Sequence, residues 1–245
     1  MNKNLIIIPT YNEKENIEKI IRAVFSEFNT DILIIEDNSP DGTANIVKKM
    51  LIEFPDRLYI EERKGKLGLG TAYIHGFKWG IARNYDFIFE MDADFSHDPK
   101  DLKRLHNACI DQNADLAIGS RYAHGVNVLN WPMSRLLMSY YGSMYVRFIL
   151  GIPVRDTTAG FKCYRVSALK TVDFSRIQHT GYGFQIEMKF NMYKLKYKIT
   201  EVPIIFKDRT EGTSKMSSGI FKEAILGVIG LKVRSWFRKW ERFQE

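Results

Sequence analysis

A chain of 245 residues, 45% of them hydrophobic and 27% charged, is long enough for one large α/β domain or two small ones and too apolar to be disordered. Its net charge of +7 is unevenly spread: residues 1–125 carry 16 Lys/Arg against 20 Asp/Glu, and residues 126–245 carry 20 against 9. That asymmetry points the second half at a polyanionic partner, which leaves nucleic acid, an anionic membrane surface and a phosphorylated substrate open.

The N-terminus runs from MNKN straight into a strand, so no signal peptide is expected. Asn4 to Pro9, NLIIIP, is a near-continuous β-branched run suited to a central strand. It ends in Thr10-Tyr11-Asn12-Glu13, after which Ile17, Ile20, Ile21, Val24, Phe25 and Phe28 recur at helical spacing, with Thr10 or Asn12 as the expected cap. Tyr11 and Glu13, at a strand's carboxyl end, are also placed to meet a ligand. Ile32 to Ile35 repeats the pattern and runs into Glu36-Asp37-Asn38-Ser39-Pro40-Asp41-Gly42-Thr43, then a helix through Ile46, Val47 and Met50. Asp41 or Thr43 is the expected cap there, which leaves Asp37 freer to bind sugar or base. A third strand over Arg57 to Glu62 precedes a glycine-rich loop, Lys64 to Gly70, and a helix from about Thr71 to Arg83. The loop matches neither G-x-G-x-x-G nor G-x-x-x-x-G-K-[ST], so tight packing against its helix, with some ligand contact, is the expectation.

The fourth strand lies in Tyr85 to Asp98, YDFIFEMDADFSHD, which stops abruptly in Asp92, Asp94 and Asp98. Open α/β sheets bind ligands just beyond the carboxyl ends of such strands. An isolated D-x-D is more often a solvated acidic turn, but two carboxylates one residue apart at this edge suit a hard cation, Mg²⁺ or Mn²⁺. Strand and helix alternate through the first 95 residues or so, which predicts a doubly wound, mostly parallel sheet with helices on both faces. A helix over Lys100 to Gln112 and a strand over Asp115 to Ile118 follow, ending in Gly119-Ser120-Arg121-Tyr122.

From Asn130 the character changes. Trp131-Pro132 opens a helix, Ser134 to about Leu150, apolar nearly all round yet carrying Arg135 and Arg147, which either snorkel to water or pair with an anion. Arg155 to Phe161 reads as loop and turn, Lys162 to Arg165 as a strand, Ile186 to Tyr193 as a helix led by Gly181 to Phe184, and Lys198 to Phe206 as a strand with Pro203 at an edge or bulge. Lys207 to Ser218 is a polar, basic loop whose Arg209 and Lys215 are the phosphate ligands if it closes on a nucleotide. The segment from Gly219 mixes apolar residues with Trp236, Trp240 and many cations, fit to pack on the core or to lie in a headgroup layer. Its longest apolar run, Ala224 to Leu231, is too short to span a bilayer. Cys109 and Cys163 show no metal or redox spacing, so a reduced, cytosolic setting is the default and neither is expected to be catalytic.

Taken together, PTYNE at Pro9 to Glu13, EDNSPDGT at Glu36 to Thr43, MDAD at Met91 to Asp94, GSRY at Gly119 to Tyr122 and DRTEGTSKM at Asp208 to Met216 resemble inverting GT-A glycosyltransferases of family 2. More narrowly, they look like polyprenyl (dolichyl) phosphate mannosyltransferases, over nearly the whole chain from Leu5 to about Ile220. The resemblance implies a single GT-A domain over residues 1–218, with a nucleotide-sugar half to about 122 and an acceptor half from 123, then a basic amphipathic helix over 219–245. It implies a GDP-mannose donor and a membrane-held polyprenyl or dolichyl phosphate acceptor. Carried over, Pro9, Tyr11, Glu13, Ile35 and Asp37 surround the guanosine, and Asp92, Ala93 and Asp94 hold metal and donor. Ser96 stands where some relatives have a metal-binding Gln, and serine is a poorer ligand. Arg121, Arg135 and Ser139 match positions that receive the acceptor phosphate, and Arg209 with Lys215 those that close over the donor diphosphate. Many relatives add transmembrane helices; the form without them leaves room for a separate membrane subunit and implies peripheral attachment to the cytosolic membrane face.

The implied reaction needs no histidine base, because a phosphate monoester with a second pKa near 6 is roughly a dianion at pH 7. Of the five histidines, His97 beside the acidic turn is the one to test. Donor, acceptor and two aspartates crowd negative charge into one cleft, for which one metal ion with Arg121, Arg135, Arg209 and Lys215 compensates. Three other readings stand beside this one: a polyprenyl phosphate glucosyltransferase or other envelope-sugar transferase using a UDP-sugar; a nucleotidyltransferase, disfavoured because PTYNE is not its glycine-rich loop; and a catalytically silent subunit, against which the intact acids and cations speak. A nucleic-acid binder is weakest, since the basic residues follow no recognition motif.

Overall fold

The computed structural model describes residues 2–181, 183–208 and 218–243. β1 (Asn4–Thr10), β2 (Asp31–Glu36), β3 (Leu58–Glu62) and β4 (Phe87–Glu90) alternate with α1 (Ile17–Glu27), α2 (Thr43–Met50) and α3 (Leu69–Ala82). α4 (Asp101–Asp111), β5 (Leu116–Ser120), β6 (Val128–Leu129) and α5 (Met133–Leu150) follow. β7 (Lys162–Arg165), the short α6 (Val166–Leu169), α7 (Gly183–Lys194), β8 (Ile199–Pro203), β9 (Phe206–Lys207) and α8 (Ser218–Phe237) complete the chain.

Seven strands form one sheet in the order β3-β2-β1-β4-β7-β5-β8, with every neighbouring pair parallel except those of β7, which runs antiparallel to both β4 and β5. The expected doubly wound, mostly parallel sheet is present. Alternation along β1 and β2 divides the core: Ile6, Ile8, Ile32 and Ile34 face α1, α2 and α4, whereas Leu5, Ile7, Leu33 and Ile35 face the side of α3, α5, α7 and α8. Burial on both faces is why these strands are apolar at every position rather than at every second one. α3 lies close against the sheet because its glycines leave room: a Cβ on Gly80 would come within 2.7 Å of Ile88 Cδ1.

The structure corrects several local expectations. α1 begins at Ile17 with Asn16 before it and no side-chain cap; Thr10 Oγ1 instead reaches Ile35 O at 3.5 Å, and Asn12 sits at φ 58° with its N–H on Ser39 Oγ. The turn after β1 is therefore tied to the turn after β2 as well as to its own helix, whose Ile17 N–H bonds to Glu13 O at 2.9 Å. At α2, Asp41 does accept the Thr43 N–H, at 3.0 Å. The strand read over Lys198 to Phe206 is two: β8 ends at Pro203, opposite Ser120, and β9 leaves the large sheet to pair with β6. The glycine-rich loop packs tightly as expected, with Gly68 at φ 99° and the Gly70 N–H on Thr180 O at 2.7 Å.

α8 joins the same core, with Val228 and Leu231 both 4% exposed, while Leu226, Ile229, Trp236 and Phe237 stay exposed. Among the described residues no helix is long and apolar enough to cross a membrane. Cys109 and Cys163 are buried free thiols.

Candidate active site

The carboxyl ends of β1, β2 and β4 meet at one sheet edge, and the polar residues that follow each strand collect there. Asp37 N–H bonds to Thr10 O at 3.1 Å, joining the first two strand ends. Tyr11 and Glu13 are half-buried beside them, Pro9 lies half-buried in β1 and Ile35 is buried within β2. Asp37 is not free: Arg63 Nε and Nη2 hold its carboxylate at 2.6 and 2.7 Å, and Arg63 Nη1 donates to Thr71 Oγ1 at 2.7 Å. Lys66 Nζ stands 5.1 Å from the Tyr11 ring centroid. This wall can take a nucleotide base and ribose through its aromatic face and its rigid charged pair.

Beyond it opens a cavity of about 680 Å³, lined by Asp92, Asp94, Ser96 and His97 from the turn after β4 and by Arg121, Arg135 and Ser139. Ala93, between the two acids, is buried under the turn. The turn is tight: Phe95 adopts φ 59°, and Asp94 Oδ1 accepts the Ser96 N–H at 3.1 Å. Such a conformation in an aromatic residue is sparsely populated and persists where surrounding bonds impose it. Tyr73 Oη approaches Asp92 Oδ1 at 3.4 Å. His97 Nδ1 accepts the Asp92 N–H at 3.2 Å, and its ring stacks on Phe161 at 4.8 Å. Burial holds its pKa down to about 4 against the opposing pull of Asp94, so it is neutral and orients the turn rather than carrying charge.

Two carboxylates and a hydroxyl in one cavity make an all-oxygen donor set, which fits Mg²⁺ or Mn²⁺. No group of three or more His, Cys, Asp or Glu gathers for a metal among the described residues. Two acids are the number such ions use when waters and substrate phosphates complete their shell.

The three residues expected to receive an acceptor phosphate are brought together by long-range contacts. Arg121 Nε and Nη2 bond to the two oxygens of Asp156 at 2.7 and 2.6 Å, and Nη2 also reaches Thr158 Oγ1 at 2.7 Å. Asp156 is wholly buried; burial would raise its carboxyl, but the Arg121 guanidinium outweighs that and holds it below the ordinary carboxylate range. Arg135 stacks on Trp131 at 4.2 Å and pairs with Asp208 at 2.8 Å, and Tyr122 donates to Ser139 Oγ at 2.8 Å. Both cations thus already carry a protein carboxylate, so they offset less substrate charge than their sequence positions suggested. Arg209 and Lys215 lie outside the described residues.

Sequence reasoning missed the buried polar chain behind the cavity. Lys162 Nζ binds Glu90 Oε1 at 2.9 Å and also donates to Gln185 Oε1, while Tyr164 donates to Glu90 Oε1 at 2.9 Å. Lys189 donates to Thr157 O and Ala159 O at 3.0 and 2.6 Å, pinning the loop that carries Asp156. Burial pushes the Lys189 ammonium well below its usual pKa. A signal existed: Glu90 inside the apolar β4 and four polar residues along α7 are costly to bury without partners.

Residues 5–173 match the family described as glycosyl transferase family 2. Over 235 residues the chain is 43% identical to a polyprenol monophosphomannose synthase of Mycolicibacterium smegmatis, covering 96% of this chain and 86% of that one. It is 44% identical over 225 residues to an undecaprenyl-phosphate mannosyltransferase of Micrococcus luteus, covering 91% of each. Its fold resembles a glucosyl-3-phosphoglycerate synthase of Mycobacterium tuberculosis solved with Mn²⁺, uridine diphosphate and glucosyl-3-phosphoglycerate, at a TM-score of 0.66 and 15% identity over 94% of this chain and 80% of that one. With its parallel sheet, its acidic strand end and this likeness across most of its length, the chain belongs to glycosyl transferase family 2.

Proposed function

We propose that the chain transfers mannose from GDP-mannose to a polyprenyl, dolichyl-type phosphate with inversion, giving polyprenyl phosphate mannose and GDP. One observation carries this reading: a single cavity is lined by Asp92, Asp94 and Ser96, by Arg121, Arg135 and Ser139, and by the apolar side chains of Leu137, Met138, Tyr141 and Val228. Acids for a metal, cations for a phosphate and an apolar wall for an isoprenoid are the three things such a transfer needs in one place. The names of the two relatives favour mannose and a lipid phosphate.

In the reaction an acceptor phosphate oxygen attacks the anomeric carbon while the bond from that carbon to the donor's β-phosphate oxygen breaks, its electron pair leaving with GDP. The acceptor oxygen is already ionised at neutral pH and gives up no proton. Arg121, fixed by Asp156, and Arg135, fixed on Trp131, orient the acceptor phosphate. Asp92, Asp94 and Ser96 would hold a Mg²⁺ or Mn²⁺ ion, which would supply electrostatic stabilisation for charge growing on the leaving diphosphate. Arg209 and Lys215 add to it from the segment after Asp208. Pro9, Tyr11, Glu13, Ile35 and Asp37 seat the guanosine.

On this reading the chain attaches peripherally to the cytosolic membrane face, and its exposed surface supports the attachment. Met133, Leu137, Met138, Tyr141, Met144 and Phe148 of α5 and Leu226, Trp236 and Phe237 of α8 are exposed, and α5 packs against α8. Apolar and aromatic side chains on neighbouring helices, with Arg147, Lys232 and Arg234 among them, match the composition that binds a headgroup layer. This reading leaves room for a separate membrane subunit as a further partner.

The test incubates the protein with radiolabelled GDP-mannose, UDP-glucose or UDP-GlcNAc, each with a short polyprenyl phosphate, with and without EDTA. Label should pass to lipid from GDP-mannose, stop with chelator and return with Mg²⁺ or Mn²⁺. Transfer from UDP-glucose instead, or transfer indifferent to EDTA, would overturn the reading.

A further inference from the structure

Gln185 lines the cavity at 2% exposure, and among the described residues its buried amide nitrogen finds no hydrogen-bond partner. Which end of the amide faces the cavity is settled by chemistry rather than by fit. Lys162 is donor-only, so the atom touching its ammonium is the amide oxygen. Lys162 is itself held by the buried Glu90, and Glu90 by Tyr164, so this chain of bonds fixes the orientation of the amide from behind. The NH₂ group is left pointing away from Lys162 with two donors to place. Leaving a buried donor unsatisfied is costly, and a fold retains one where something else supplies the partner.

Gly160 marks the place. The point a Cβ on Gly160 would occupy is 3.7 Å from Gln185 Nε2, 3.7 Å from His97 Cε1 and 3.8 Å from Asp92 Oδ2. An amide donor and a carboxylate acceptor therefore flank the small volume that a side chain at position 160 would fill. The pairing selects its ligand. A hydroxyl accepts from the amide and donates to the carboxylate, whereas an ionised phosphate oxygen only accepts and would be repelled by Asp92. The phosphate-binding cations Arg121 and Arg135 make their own contacts with Asp156, Thr158, Trp131 and Asp208.

We infer that Gln185, with Asp92 opposite and Gly160 keeping the space, binds a hydroxyl of the sugar being transferred and so contributes to the choice of sugar. This rests on the glycosyl-transfer reading above and goes beyond it by assigning the sugar contact. Tyr164, Glu90 and Lys162 are positioning residues that act through Gln185.

The experiment uses the full chain with GDP-mannose and its 2-, 3-, 4- and 6-deoxy analogues. Gln185→Ala should lower kcat/KM for GDP-mannose about tenfold or more, the scale of one hydrogen bond to a ligand, while GDP affinity stays within about twofold. With one of the four analogues, the one lacking the bound hydroxyl, Gln185→Ala and the unaltered protein should turn over equally. A loss of the same size with all four analogues, or a parallel loss of GDP affinity, overturns the inference. Because Gln185→Ala also strips Lys162 of an acceptor, Gly160→Ala is the second arm. Its Cβ meets only ordinary van der Waals contacts, so the unfolding temperature and GDP binding should hold while GDP-mannose binding weakens at least tenfold; unchanged GDP-mannose binding overturns the inference. Should the unaltered protein use another nucleotide sugar, the mannose reading falls. The deoxy series of that sugar then decides the role of Gln185 separately.

Discussion

The two sides of the cavity are built by opposite means. On the side of β1, β2 and β4, each polar residue of interest follows its own strand by one to four positions, and the parallel register alone carries Tyr11, Asp37 and Asp92 to a common edge. On the side of β5 and α5, the cations reach the cavity already bound to acids distant in sequence: Arg121 to Asp156, Arg135 to Asp208. Lys162, in the strand that runs against its neighbours, is bound to Glu90 across the sheet. The first side is a row of strand ends, one of whose acids, Asp37, is clamped by Arg63. The second is a set of neutralised pairs, and Lys162, buried against Glu90 of the first half, shows that the basic excess of residues 126–245 is in part internal structure. On the proposed reading, recognition of a phosphate there depends on geometry and on the bonding capacity that the pairs leave over, more than on net charge.

The sharpest way to break this contrast is to remove charge from the strand-end side. Asp92→Asn with Asp94→Asn should cut turnover about 10³-fold or more, in line with the loss of a preorganised electrostatic contribution, while leaving the unfolding midpoint near that of the unaltered chain. A large fall in stability instead would place these acids among the structural pairs. Second in size is Asp156→Asn, which strands the buried Arg121. It should cost about 3–5 kcal/mol in denaturant unfolding, the penalty for removing one partner of a buried ion pair. A cost below about 1 kcal/mol would make that pair no different from an exposed one. Smallest is Arg135→Ala, whose partner Asp208 is partly exposed and keeps access to water. Turnover at low acceptor should drop about tenfold with stability nearly unchanged and GDP binding near normal, as expected where a half-exposed cation loses one contact. If donor affinity collapses equally, Arg135 serves the donor and not the acceptor.

The parts of this molecule that could be read from its residues are those governed by local pattern. The apolar runs of β1, β2 and β4, the helical spacing of α1 and the abrupt acids after β4 all lie where periodicity places them, because strand burial and helix amphipathicity act over a few residues. Lys162 to Arg165 was legible as a strand, but not that it would insert between β4 and β5 in the opposite direction. Thr10 and Asn12 have the side chains of helix caps and serve as ties between turns, since the neighbouring strand end offered partners that a local reading cannot see. Asp37 was visible as a candidate, but its clamp by Arg63, 26 residues later, was not.

Residue order alone was enough to specify a parallel sheet with an acidic edge, since short-range hydrophobic pattern and turn chemistry dictate both. Which charges face a ligand and which are consumed by one another was settled only when the chain folded. Burial makes an unpaired ion so costly that partners are found wherever topology brings them, and topology is not written in any local stretch.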